Sequence, residues 1–179
     1  MRIETLQIPS IFLITPRLLT DNRGTFEKSF IASLFKSHGM DTEIQEEFAS
    51  TSESGVIRGM HFQSPPMACA KYVSVTSGSI LDVVLDLRRS ASTYGTHITI
   101  LLSAENHQML YIPQGFAHGF LALEDKTVVR YLQTREFSPD HDKGIHFDSF
   151  GCDWQVSNPI LSNRDKSHPP LSEFETPFK

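Results

Sequence analysis

The sequence is short of cysteine, of basic excess and of long apolar runs, and each shortage excludes a class of protein. Cys69 and Cys152 are the only two cysteines, and no CxxC pair occurs. A small secreted domain stapled by disulfides carries more, so both are read as reduced thiols; Cys69, within MACAK, reads as small semi-apolar filler. Lys and Arg number 16 against 21 Asp and Glu, a net charge of −5. Nucleic-acid binding needs the opposite balance, whereas a few local Arg and Lys suffice for an anionic small ligand. No stretch approaches the roughly 20 apolar residues of a membrane helix. The opening MRIETLQIPS lacks the apolar run and cleavage site of a secretory signal. The expectation is a cytoplasmic protein with no membrane or nucleic-acid partner. Internal repeats and low-complexity tracts are absent as well.

What is present is a period of two. LDVVLDLR (81–88), THITILLS (96–103), HQMLYIP (107–113), HGFLALED (118–125) and TVVRYLQT (127–134) are short, apolar and rich in β-branched and aromatic residues. Gly, Pro, Ser and charged residues punctuate them at close spacing, which predicts an all-β sandwich or barrel, and a jelly roll above other choices. One helix is predicted within SFIASLFKSHGM (29–40), with Phe30, Leu34 and Phe35 on one face and Gly39 as its stop. The 179 residues fit a single domain over 1–179. From about 166 to 179 the proline-containing DKSHPPLSEFETPFK reads as an irregular C-terminal tail.

Several segments carry groups capable of chemistry. GVIRGMHFQSPP (55–66) holds Arg58, His61 and Gln63, and AKYVSVTS follows with Lys71 inside an apolar strand. A lysine on a buried strand face is costly unless paired, and alternation alone leaves its face open. IPQGFAHGFLAL (112–123) turns at Pro113 and Gly115 and runs His118 into a strand. On TVVRYLQT, Val129, Tyr131 and Gln133 share one face. Asp165 sits in the charged segment SNRDKSHP (162–169). Taken singly, each of these is more often a structural or solvated residue than a catalytic one.

Taken in order, DNRGTF (21–26), GVIRGMHFQ (55–63), Lys71, SAENHQMLYIPQGFAHGF (103–120), Tyr131 and LSNRDKSHP (161–169) resemble the dTDP-4-dehydrorhamnose 3,5-epimerase family over nearly the whole chain. The resemblance implies a cupin-fold homodimer whose barrels exchange N-terminal strands and which uses neither metal nor organic cofactor. It implies His61 as base, Asp165 as the carboxylate orienting it, and His118 as a second pocket histidine. It implies Lys71 near the keto oxygen and Tyr131 as the acid on the opposite face. Arg58, and Arg23 from across the dimer, match the arginines that grip the diphosphate, and Phe26 matches an aromatic near the nucleotide. The chemistry agrees. A proton beside a ketone leaves only if the enolate is stabilised, a histidine base titrates near neutrality, and paired arginines suit oxyanions. Metal-binding cupins resemble an HxH pair with a Glu and a further His. Here Gln63 stands where the second His would be, so no metal is expected.

The match departs from the family at three places. Lys28 replaces a Glu after the RGxF motif, Glu46-Glu47-Phe48 replaces Gln-Asp-Asn, and Phe137 replaces a second tyrosine. The expected activity is inversion at C3, C5 or both of a nucleotide-linked 4-keto-6-deoxy sugar, with dTDP the favoured nucleotide. Glu46, as a two-fold acceptor for guanine, makes a GDP-linked sugar or heptose the alternative, with CDP third. Three rivals rank lower: a 3,4-ketoisomerase, a catalytically silent sugar-nucleotide binder and a metal-dependent cupin oxygenase. Such sugars usually feed cell-surface polysaccharides, lipopolysaccharide among them.

Overall fold

A computed structural model describes residues 1–179. Thirteen strands account for most of the regular structure: β1 (Arg2–Thr5), β2 (Phe12–Thr15), β3 (Arg17–Asp21), β4 (Gly24–Lys28), β5 (Glu46–Ser52), β6 (Ile57–Gln63), β7 (Lys71–Ser77), β8 (Ser79–Asp86), β9 (His97–Ser103), β10 (Met109–Ile112), β11 (Phe116–Ala122), β12 (Thr127–Gln133) and β13 (Asp142–Gly144). The two helices are one or two turns long, α1 (Ala32–Ser37) and α2 (Asn163–Lys166).

Two antiparallel sheets build a jelly roll. One runs β1-β2-β10-β7-β12-β5 and the other β13-β6-β11-β8-β9. Strand alternation sets their facing surfaces. Val73 and Val75 of β7, Val129 and Tyr131 of β12, Ile80 and Val84 of β8, and Phe116 and Phe120 of β11 point into one shared core. Burying each large apolar side chain contributes about 1.5–3 kcal/mol. The outer face of the first sheet is covered by α1, whose Phe35 stacks on Tyr72 at 5.5 Å with Phe30 edge-on to both. The outer face of the second packs Phe62, Leu85 and Leu121 against the C-terminal stretch, where Trp154 and Phe178 are buried.

Two details place the site. Gly59 has φ +140°, and a Cβ there would stand 2.5 Å from Gly119 Cα. Glycine at both positions lets β6 and β11 approach where their register shifts between His118 and Phe120. The β3–β4 hairpin, by contrast, is exposed along its whole length, with Leu18, Leu19 and Phe26 open to solvent.

Candidate active site

One end of the sandwich is open and holds a cavity of about 600 Å³. The size suits a small ligand. His61 and His118 reach it from the second sheet, Lys71, Tyr131 and Gln133 from the first, and Asp165 from α2. His61 and His118 are direct cross-strand partners, so residues 57 apart in the chain share one wall.

His61 Nε2 lies 2.7 Å from Asp165 Oδ1. The carboxylate accepts the Nε2 proton, which leaves Nδ1 as the basic nitrogen. Asp165 is itself placed by Ser162, whose Oγ caps α2 by accepting from Asp165 N at 3.0 Å. Burial alone would raise the Asp165 carboxyl, but the His168 and His61 imidazoles and the Gly59 N–H outweigh it and hold the group well below the usual carboxylate range. On His61, burial lowers the pKa and Asp165 opposes it, with the net below the ordinary imidazole value. The His61 imidazole is thus neutral at neutral pH, with Nδ1 free of the carboxylate contact.

His118 has its own carboxylate: Nε2 stands 2.8 Å from Asp82 Oδ2, and both side chains are buried. Lys71 opens β7 on the inward face and donates to the His61 carbonyl at 3.3 Å. Burial lowers its pKa, with Cys69, Asp142 and Asp82 opposing. Tyr131 stacks on Phe48 at 4.6 Å and 14°, with His118 edge-on at 5.9 Å. Burial first and Asp82 second raise its phenol, so it stays protonated. The His61 imidazole and the Tyr131 phenol therefore hang from opposite sheets and line one cavity.

Arg58 lines the same space, with Nε donating to Ser52 Oγ and Nη2 to the Thr51 carbonyl, both at 3.0 Å. Phe137 lies at the rim and is 56 % exposed. Gln63 touches the cavity but is engaged elsewhere. It donates to the Met67 and Glu136 carbonyls and accepts from Ser138 N, so it braces the loop that carries Phe137. Glu46 is not in the lining; it pairs across from Gln133 at the end of β5 and has a buried Oε2 without a partner. Arg23, Phe26 and Lys28 stand apart from this chain's cavity, on the exposed hairpin, where Arg23 pairs with Asp21 at 2.5 Å.

Three residues of the site were not anticipated. Asp82 carried a signal, an acid inside the apolar run LDVVLDLR, which a buried strand tolerates only with a partner. Phe48 appeared only as a departure from a family pattern. His168 offered no signal; it reaches Asp165 at 3.7 Å only through the packing of the tail.

The chain matches the family model described as dTDP-4-dehydrorhamnose 3,5-epimerase over residues 5–173. It is 40% identical over 166 residues to the dTDP-4-dehydrorhamnose 3,5-epimerase of Methanothermobacter thermautotrophicus, covering 90% of this chain and 89% of the relative. The crystal structure of the Bacillus anthracis dTDP-4-dehydrorhamnose 3,5-epimerase with TDP and pyrophosphate superposes with a TM-score of 0.92 at 36% identity, covering 95% of this chain and 99% of that one. The Legionella pneumophila dTDP-6-deoxy-D-glucose-3,5-epimerase, in complex with dTDP-4-keto-L-rhamnose, gives 0.94 at 31% identity, covering 99% and 98%.

Proposed function

The chain belongs to the dTDP-4-dehydrorhamnose 3,5-epimerase family, and on that premise we propose that His61 and Tyr131 invert the carbons beside the ketone of a dTDP-linked 4-keto-6-deoxy sugar. The chain is an isomerase of the nucleotide-sugar class. One observation carries the assignment of roles: a carboxylate-held imidazole and a protonated phenol face each other across one cavity from opposite sheets.

His61 Nδ1 takes the proton from C3 or C5, and the C–H electrons move into an enolate whose charge rests on the C4 oxygen. Lys71 and His118, which line the same cavity, stabilise that charge. Tyr131 O–H then gives its proton to the opposite face of the same carbon, and the enolate collapses back to the ketone. The ring has gained one proton and lost one. Solvent restores the neutral imidazole and the phenol. Because the ketone flanks both C3 and C5, one constellation serves both after the ring reorients. Arg58 holds the diphosphate.

The assembly is a homodimer in which the β3–β4 hairpin packs on the partner. An isolated two-stranded ribbon is marginal in water, and exposed Leu18, Leu19 and Phe26 support a covered face. Arg23 and Phe26 then serve the partner's cavity. The whole chain, residues 1–179, works as one domain, in the cytoplasm.

The test is turnover of dTDP-4-keto-6-deoxyglucose followed by proton NMR. Formation of dTDP-4-keto-rhamnose supports the reading; return of unchanged sugar with no hydrogen exchange at either carbon overturns it.

A further inference from the structure

We propose that His61, Asp165 and His168 form a site for a borderline-soft divalent cation such as Zn²⁺, placed so that occupancy switches the catalytic base off. The three ligand atoms lie within 4.8 Å of one another. Asp165 Oδ1 is central, 2.7 Å from His61 Nε2 and 3.7 Å from His168 Nε2. The longer separation exceeds hydrogen-bonding range. It is close to the roughly 3.3 Å between two ligands of one tetrahedral ion with bonds of about 2.0–2.1 Å. His168 Nε2 is buried and, apart from the Asp165 carboxylate 3.7 Å away, has no partner within hydrogen-bonding distance, an unusual state for an imidazole nitrogen.

The site is built rather than incidental. His168 is held against β13, where its ring fills the space that a Cβ at Gly144 would occupy. Gly144 is the cross-strand partner of His61, so the absent side chain brings the second imidazole to the first. The two rings meet edge-on at 5.7 Å and 77°. Next along the chain, the Pro169 carbonyl accepts from His146 N at 2.8 Å and fixes the segment. Two imidazoles and a carboxylate are the donor set of many zinc sites. This set differs from the cupin metal pattern excluded by Gln63, because it uses the Asp165 side of the His61 ring.

Occupancy has a defined consequence, which rests on the reading of His61 as the base. The ion takes the Nε2 lone pair, so the single imidazole proton moves to Nδ1. The nitrogen facing the sugar is then protonated and no longer accepts the substrate proton. The His61–Asp165 contact opens by about 0.6 Å to admit the ion.

Co²⁺ titration of the whole protein, read by visible absorption, tests the site without substrate. One equivalent with the intense bands of a low-coordinate Co²⁺ is expected. His168→Leu and His61→Asn should each weaken it about 100-fold or more. A rise in melting temperature with dTDP confirms that each variant is folded. Absence of such bands in the wild type, or bands unchanged in His168→Leu, overturns the proposal. In a second experiment Zn²⁺ should abolish C–H exchange in the wild type and leave the residual exchange of His168→Leu insensitive at the same concentration. Zn²⁺ bound at this site without inhibition would overturn the switch and the role of His61 as base while leaving the site.

Discussion

His61 Nε2 and Asp165 Oδ1, 104 residues apart in the chain, stand 2.7 Å from each other. That contact fixes which imidazole nitrogen is basic. Asp165→Asn keeps the shape but removes the anionic acceptor, so the ring is free to take the wrong tautomer. The expected fall in kcat is about 10²–10⁴-fold, by analogy with other carboxylate-oriented histidines. His61→Asn should lose at least as much, and the double variant should lose no more than His61→Asn alone, since the pair acts as a unit. Steady-state kinetics on the three variants check this; additive losses would separate the two residues.

Asp82 and His118 form the second pair, buried where Asp82 Oδ1 has no partner. Asp82→Leu leaves the buried His118 N–H without its acceptor, and the expected cost is about 1–3 kcal/mol in unfolding free energy. Asp82→Asn, which keeps a hydrogen-bond acceptor, should cost less. Urea denaturation checks both, and a Leu variant as stable as wild type would contradict the account.

Asp86 is fully buried and receives Arg88 Nε and Nη2 at 2.9 and 2.6 Å and Thr93 Oγ1 at 2.6 Å. Burial raises its pKa, but these bonds together outweigh it, so the net lies below the ordinary carboxylate value. A depressed folded pKa stabilises the protein above the unfolded value, about 3.9, and the gain fades as pH falls through the folded pKa. Asp86→Asn should cost about 2–3 kcal/mol at pH 7, discounted because Arg88 is partly exposed. The gap to wild type should narrow below about pH 4. Thermal melts across pH 3–7 check the direction.

The exposed hairpin gives a test of the proposed dimer. Leu19→Asp with Phe26→Asp should shift the protein toward monomer in sedimentation velocity. Mixing and reassembling Arg23→Ala with His61→Asn subunits should recover activity that neither variant has alone, because one hybrid site then holds both native residues. Failure to recover activity in confirmed hybrids would place Arg23 outside the partner's site.

Much of this was legible in the sequence, and the reasons are local. Alternation on TVVRYLQT put Val129, Tyr131 and Gln133 on one face, and all three are buried there. The helix around Phe35 formed where its apolar spacing and Gly39 indicated, though only Ala32–Ser37 is helical. Lys71 was ambiguous because its face depends on which strands cover β7. The His118–Asp82 contact needs the β8–β11 register, which pairs His118 with Val84 and sets Asp82 on the diagonal. His168 depends on the missing Cβ of Gly144 and on the path of the tail, neither of which has a periodic signature. The Glu46 side chain is outside the lining of this chain's cavity.

In the proposed reaction the proton is removed and returned on opposite faces, by His61 and Tyr131. The direct measurement is proton NMR of dTDP-4-keto-6-deoxyglucose in D₂O with Tyr131→Phe beside His61→Asn. Tyr131→Phe should wash solvent deuterium into unreacted sugar while product formation drops about 10²-fold or more, and His61→Asn should do neither. Normal product formation by Tyr131→Phe, or exchange surviving in His61→Asn, would contradict the account.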